Sequence, residues 1–371
     1  MVFKGTSNYP QARYISEAVE GVGGIIDAST SPELTAYWAK VPVRHFPQAL
    51  HVLGEMLLQP KLAPTEIEKE RRIITEELHM ITDAPFDWVF QLIGATLWPD
   101  HPLGRDVAGT EEGVMAIRRE DLESYREQHY IAKTIVAVVA GAPSVAEAES
   151  AITAALGHLP QRPTQPVEAP PEPHPEPRIE IRYRQTEQVN LCLALPALSY
   201  NHPDRFALLL LNTILGAGMS SRLFLSIREE YGLAYNVFSG LRQYADTGAI
   251  IVYAGVDPGQ FEHSLTAIWH ELQRIAQEPV SEEELKRAKE YNKGRILLRM
   301  EDSYGVAGWY GVQEVLQEEI EEVDQVIARI DAVTPEDLHQ LAATLFRKEM
   351  LRLASVGPFQ EEDPVRRALG L

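Results

Sequence analysis

The sequence predicts an α+β protein of two homologous, duplicated domains, each a mainly antiparallel sheet packed with helices. Three observations lead there. A chain of 371 residues exceeds one ordinary core. Residues 162–177 hold seven prolines interspersed with glutamate, a composition that cannot pack a core and marks an extended linker. The segments on either side then follow one plan. Gln260-Phe-Glu-His-Ser-Leu265 and the run from Pro279 to Arg287 parallel His45-Phe-Pro-Gln-Ala-Leu50 and the run from Pro60 to Arg71. Val333-Thr-Pro-Glu-Asp-Leu338 parallels Ile117-Arg-Arg-Glu-Asp-Leu122. The expected division is 1–161, the linker 162–177, and 178–371.

The elements of the first copy follow from spacing. Gln11 to Val22 places Ile15, Ala18, Val19 and Val22 on one helical face, and Gly23-Gly24 ends it. Ile25 to Thr30 and Thr35 to Val41 read as paired strands around a turn at Ser31-Pro32-Glu33. Phe46 to Leu58 is a helix facing inward through Ala49, Leu50, Leu53, Met56 and Leu57, closed by Pro60. Pro64 to Met80 is the next helix, begun by Pro64 and Thr65 with early glutamates at the positive end of its dipole. Ile67, Ile74, Leu78 and Ile81 mark its inner face. Pro85 to Leu97 and Glu120 to Tyr130 are further helices, and Thr134 to Ala140 reads as a buried strand. In the second copy, Ser281 with Glu284 predicts a capping box, and Thr334-Pro335 an N-cap followed by proline. Gly216-Ala-Gly218 lacks the lysine of a phosphate loop and reads as the end of helix 204–215.

Charge and cysteine content exclude some functions. Lys and Arg total 34 against 54 for Asp and Glu, a net charge of −20. That argues against nucleic acid and against an anionic membrane surface. Cys192 is the single cysteine, which removes intrachain disulfides and thiolate metal sites, and its apolar neighbours Val189 to Leu195 make it a core residue. No apolar run reaches membrane-spanning length and no secretory signal pattern opens the sequence, so a cytoplasmic protein is expected.

Glu70 and Glu77 lie seven apart, on one side of the Pro64 helix, near Ile73 and Ile74. A carboxylate against an apolar face needs a base, a proton or a metal; the plain reading is two solvated helix glutamates. The surrounding blocks decide. Phe3-Lys-Gly-Thr6, Gly23 to Thr30, Glu70-Arg-Arg-Ile-Ile-Thr-Glu-Glu77, His101-Pro-Leu-Gly-Arg105, Ser220-Ser-Arg-Leu-Phe224 and Arg228 to Tyr235 occur in the order found in one family. The chain resembles the pitrilysin/insulinase-type zinc peptidases, in the layout of the mitochondrial processing peptidase and its bacterial relatives.

That resemblance implies a zinc-dependent endopeptidase for extended or unfolded peptides, with two domains of processing-peptidase type closing around the substrate. The family's chemistry uses H-x-x-E-H, in which two His bind zinc and the Glu takes a proton from bound water. The motif precedes a segment like Met1 to Thr6 in relatives, and none of the eleven His here forms it. The first domain is therefore expected to be truncated at its N-terminus, lacking a strand and a helix. Carried over by resemblance, Glu77 is the third zinc ligand and Glu70 a supporting carboxylate. Arg228 and Tyr235 are a substrate-anchoring pair able to donate hydrogen bonds to carbonyls and the forming oxyanion. Asp27, Ala28, Ser29 and Thr30 form a substrate-edge strand, with Asp27 where relatives usually carry Asn. One protein ligand cannot hold zinc. Either the His pair is supplied beyond these residues, or the chain is a non-catalytic peptide-binding or partner subunit. The resemblance further implies a homodimer, or a heterodimer with a related chain.

Overall fold

The computed structural model describes residues 1–371. Fourteen α-helices and seven strands follow in order. The first copy contains α1 (Ala12–Glu20), β1 (Ile25–Thr30), β2 (Thr35–Lys40), α2 (Phe46–Leu58), α3 (Pro64–Asp83), α4 (Pro85–Leu97), α5 (Glu111–Ala116), α6 (Arg119–His129) and α7 (Val145–Leu156). The second contains β3 (Arg178–Tyr183), β4 (Val189–Ala197), α8 (Arg205–Gly216), a π-helical turn Phe224–Glu230, β5 (Ala234–Gln243), β6 (Gly248–Val256), α9 (Phe261–Gln277), α10 (Glu282–Met300), α11 (Ser303–Leu316), α12 (Val323–Ala332), α13 (Pro335–Leu345), β7 (Arg352–Gly357) and α14 (Asp363–Leu369). The repeat is visible in this order. The hairpin β1–β2 answers to β5–β6, and α2 to α7 answer one for one to α9 to α14.

The compact units do not coincide with the segments 1–161 and 178–371. One unit comprises residues 1–79, 107–168 and 299–315; the other comprises 80–106, 169–298 and 316–371. The cause is the apolar burial of one helix in each copy. Val89 and Ile93 of α4 are fully buried against Cys192 and Ala194 of β4, Ile251 of β6 and Ala354 of β7. Its counterpart α11 packs with the first copy, where the Tyr304 ring lies 4.5 Å from that of Trp38 on β2. In the second unit the equivalent rings, Phe86 and Tyr253, are 4.8 Å apart.

The second unit carries a five-stranded sheet in the order β3-β7-β4-β6-β5. Its centre is β4, antiparallel to β6 and to β7. The pleat sends Cys192 and Ala194 to α4 and Leu191, Leu193 and Leu195 to the opposite face, and all five are fully buried. Burial pushes the Cys192 thiol far up, as suits an inert core cysteine. Gly216 ends α8 where a side chain would meet Ser239 of β5 at 2.4 Å, so the glycine permits close helix–sheet packing.

The first unit has only the two-stranded β1–β2 sheet, with β1 open on one edge. Its core gathers Ile15, Val19, Val52 and Met56 under Phe3, Tyr37 and Ala39. The predicted strand Thr134 to Ala140 is not one. These residues pair with no strand, and Val136 and Val138 are 40% and 37% exposed. The sequence has strand character, but a strand needs a neighbour for its backbone groups, and here there is none beside it. Residues 162–177 form no helix or ladder. Arg352, 2% exposed, fastens the end of that stretch by donating to the carbonyls of His174 (2.7 Å) and Glu176 (2.9 Å).

Ile93→Ala removes a buried side chain of α4 and is expected to cost about 3 kcal/mol. Although Ile93 belongs to the first copy, amide exchange should accelerate in β4 and β7. Acceleration confined to residues 1–79 would contradict the placement of α4.

Candidate active site

In the first unit the site elements converge on the start of the chain. Val2–Lys4 forms a 3₁₀ turn, and Val2 and Phe3 pack on the small core. Thr6 is fully buried; its N–H donates to the Tyr9 carbonyl (2.7 Å) and its hydroxyl accepts from Tyr9 N–H (3.0 Å). Asn8 donates through its side chain to the Glu55 carboxylate (3.0 Å), tying the loop to α2. Lys4 Nζ reaches Glu70 Oε1 at 2.6 Å. This pair holds the opening turn on α3.

Glu70 is thus partly buried and paired, while Glu77, two turns on, is exposed. Along the inner face of α3, Ile67 is buried and Ile74, Leu78 and Ile81 are half-buried, but Ile73 is 46% exposed. Zinc does not fit residues 1–371 by themselves. A catalytic site takes three protein ligands, and no group of three His, Cys, Asp or Glu side chains is assembled around Glu77 or elsewhere. The nearest histidine on α3, His79, instead lies 3.5 Å from Glu111 in an exposed pair.

Asp27 to Thr30 lie on β1, whose register sets Asp27 opposite Trp38 and Ala28 opposite Tyr37. Their outer edge is free to pair. The Asp27 carboxylate accepts from Ala28 N–H at 2.8 Å, so one donor of this strand is engaged locally.

In the second unit Arg228 and Tyr235 come together. The π-helical turn carries Arg228; Gly232, at φ +63°, reverses the chain, and a bulge between Ala234 and Asn236 turns Tyr235 outward. The guanidinium carbon stands 4.9 Å from the Tyr235 ring centre and 4.9 Å from that of Phe224. Tyr235 is 76% exposed. A planar cation stacked between two rings keeps its N–H edge available, and the phenol hydroxyl faces solvent.

The brace of this pair escaped the sequence reading. Arg222 donates twice to Glu284, at 2.9 and 3.0 Å, and so ties the Ser220–Phe224 block to the first turn of α10. Glu284 is also the capping-box residue, accepting from Ser281 N–H (3.2 Å) and Oγ (3.0 Å). The box was legible, but its arginine lies 62 residues away and no local spacing announces it. Another such pair is Tyr37 with Tyr130, whose hydroxyls are 2.7 Å apart.

The first copy of the duplicated α+β unit carries Glu70 and Glu77 along one helix, and the second carries the exposed guanidinium–phenol pair. The insulinase (peptidase family M16) pattern matches residues 1–111, and the peptidase M16 inactive domain matches residues 116–292. The chain is 33% identical over 358 residues to the uncharacterized zinc protease YmxG of Bacillus subtilis, covering 96% of this chain and 86% of that one. It is 28% identical to the mitochondrial-processing peptidase subunit beta of Bos taurus, over 97% of this chain and 75% of that one. A protease structure from Helicobacter pylori superposes with a TM-score of 0.90 at 21% identity, covering 96% of this chain and 87% of that one. The chain belongs to the insulinase (M16) peptidase family. Relatives in this family are named as zinc proteases and as subunits of larger assemblies.

The Arg222 hydrogen bonds, with the Ser281 donors, hold the Glu284 carboxyl at about 2, below its ordinary 4.5. A depressed carboxyl stabilises the fold above pH 4.5, and that contribution fades as pH falls towards 2. Glu284→Gln is expected to cost on the order of 3 kcal/mol at pH 7 and less than half of that at pH 3. Urea unfolding at both pH values checks it; an equal loss at both would contradict a charge-based brace.

Proposed function

We propose that the chain holds extended or unfolded peptides for a zinc-dependent endopeptidase. Residues 1–371 supply the substrate-holding surfaces, and the zinc-binding His pair and base Glu come from outside these residues. Substrate backbone pairs along the open edge of β1 at Asp27, Ala28, Ser29 and Thr30, as strands add to free edges. Arg228 and Tyr235 donate hydrogen bonds to substrate carbonyls and to the oxyanion that forms when one is attacked. Glu77 is the ligand this chain contributes to the metal, and Glu70, positioned by Lys4, supports it. The observation that carries the reading is the stacked, outward-facing Arg228–Tyr235 pair. A long phenol side chain turned into solvent beside a guanidinium has no folding role, and it suits a ligand rich in carbonyl acceptors.

A second reading rests on a different observation. Glu77 has no companion ligands within the chain. On its own, then, the chain acts as a peptide-binding partner subunit, pairing with a copy of itself or with a related chain that carries the metal.

Fluorescence anisotropy with a labelled, unstructured peptide should show saturable binding to the 371-residue chain. Arg228→Ala should weaken it about tenfold, and Tyr235→Phe by a few-fold. Unchanged affinity in the double variant would sink the assignment. Zinc content and chelator-sensitive cleavage of a quenched peptide test both readings at once. Stoichiometric zinc with cleavage by this chain alone would refute both, because each requires metal ligands from elsewhere.

A further inference from the structure

The guanidinium of Arg228 is held by rings rather than by hydrogen bonds. Its carbon stands 4.9 Å from the Phe224 ring centre and 4.9 Å from that of Tyr235. Its ion-pair neighbour, Glu229, lies 3.7 Å from Nε, too far for a hydrogen bond, and is itself exposed. The two rings are not equal. Tyr235 is exposed and keeps rotamer freedom of its own. Phe224 is half-buried and opens the π-helical turn that carries Arg228. Phe224 is thus the fixed wall of the stack.

That wall is anchored on both sides along the chain. Before it, Arg222 donates to Glu284 at 2.9 and 3.0 Å, and Leu223 is fully buried. After it, Ser226 and Ile227 are buried. Arg222 Nη1 is buried without a partner, a desolvation penalty that an apolar pair in the same place would not carry. The ion pair is therefore a poor source of stability and a good way to fix one geometry for the turn.

We propose that Phe224 is a positioning residue for Arg228, an inference that rests on the peptide-holding role given to Arg228 above. The face of the Phe224 ring attracts the planar cation and holds it flat, so its N–H edge is turned outward before a peptide arrives. A free arginine side chain gives up rotamer freedom when it binds, and that loss weakens binding. Arg228, stacked in advance, has already given up part of it. Phe224 acts through Arg228 and needs no contact with the peptide. The role requires a ring rather than apolar bulk, because an aliphatic side chain offers no negative face to the guanidinium.

The test is a double-variant cycle on Phe224 and Arg228, read by anisotropy of the labelled, unstructured peptide with the full 371-residue chain. Phe224→Leu should weaken binding about fivefold, and Phe224→Met, a second side chain without a ring, by a similar factor. Phe224→Tyr restores a ring and should bind within about twofold of the parent chain. In the Arg228→Ala background, Phe224→Leu should change affinity less than about twofold, because no guanidinium is left to orient. Amide exchange in β5 and β6 should match the parent chain, which separates lost orientation from lost fold. The proposal is overturned if both variants without a ring bind as the parent does, or if Phe224→Tyr binds as weakly as they do. It is equally overturned if Phe224→Leu weakens binding by the same factor with and without Arg228, since the ring then acts on the peptide or the fold directly. Each of these results leaves the role of Arg228 standing so long as Arg228→Ala alone weakens binding. An Arg228→Ala chain that binds as the parent does overturns both.

Discussion

Every backbone N–H and C=O in a strand needs a partner, and the burial of β4 depends on its having two neighbours. With β6 on one side and β7 on the other, the nine residues from Val189 to Ala197 leave water entirely at Leu191 to Leu195. Both layers of the second unit rest on that. One face of β4 receives Val89 and Ile93 of α4, and the other carries Leu191, Leu193 and Leu195. The first unit has the same flanking chemistry without the central strand. Its β-rich segment 134–140 is correspondingly extended but unpaired, and α11 buries only Gly305 and Gln313.

The positions of Arg228 and Tyr235 follow from equally local constraints. Tyr235 points into solvent because a bulge breaks the alternation of β5 just after the αL glycine at 232. Arg228 lies under it because the preceding turn is π-helical, and that turn is held by Arg222 on Glu284. A capping residue of one helix thus orients a guanidinium in another segment. On the first unit, Lys4 does the comparable work by joining the opening turn to Glu70.

Much of this was legible in the residues. Pro85 to Leu97 and Phe46 to Leu58 were readable to the residue, because proline fixes each start and apolar spacing fixes each face. The hairpin Ile25 to Lys40, the capping boxes at Ser281 and Thr334 and the buried Cys192 were also readable. The Arg228–Tyr235 pair came from the match of a block, and the structure brings those residues together. What local pattern does not encode is partnership at long range. Val136 and Val138 have strand-forming side chains, yet strand formation depends on a neighbour that sequence spacing does not report. The same holds for Arg222 with Glu284, and for α4 and α11, whose apolar faces say that they are buried but not in which unit.

An unpaired segment need not unfold its unit. Residues 136–138 and 141 are exposed and 135, 139 and 140 half-buried, so their amides lie within reach of water and the penalty for an unsatisfied buried group is largely avoided. What is forgone is apolar burial: Val136 and Val138 remain exposed where their counterparts Arg352 and Ala354 are buried. The small core of Ile15, Val19, Val52 and Met56 does not involve residues 135–141 and stays closed. Residues 1–371 thus keep a closed core beside the two-stranded sheet of the first unit.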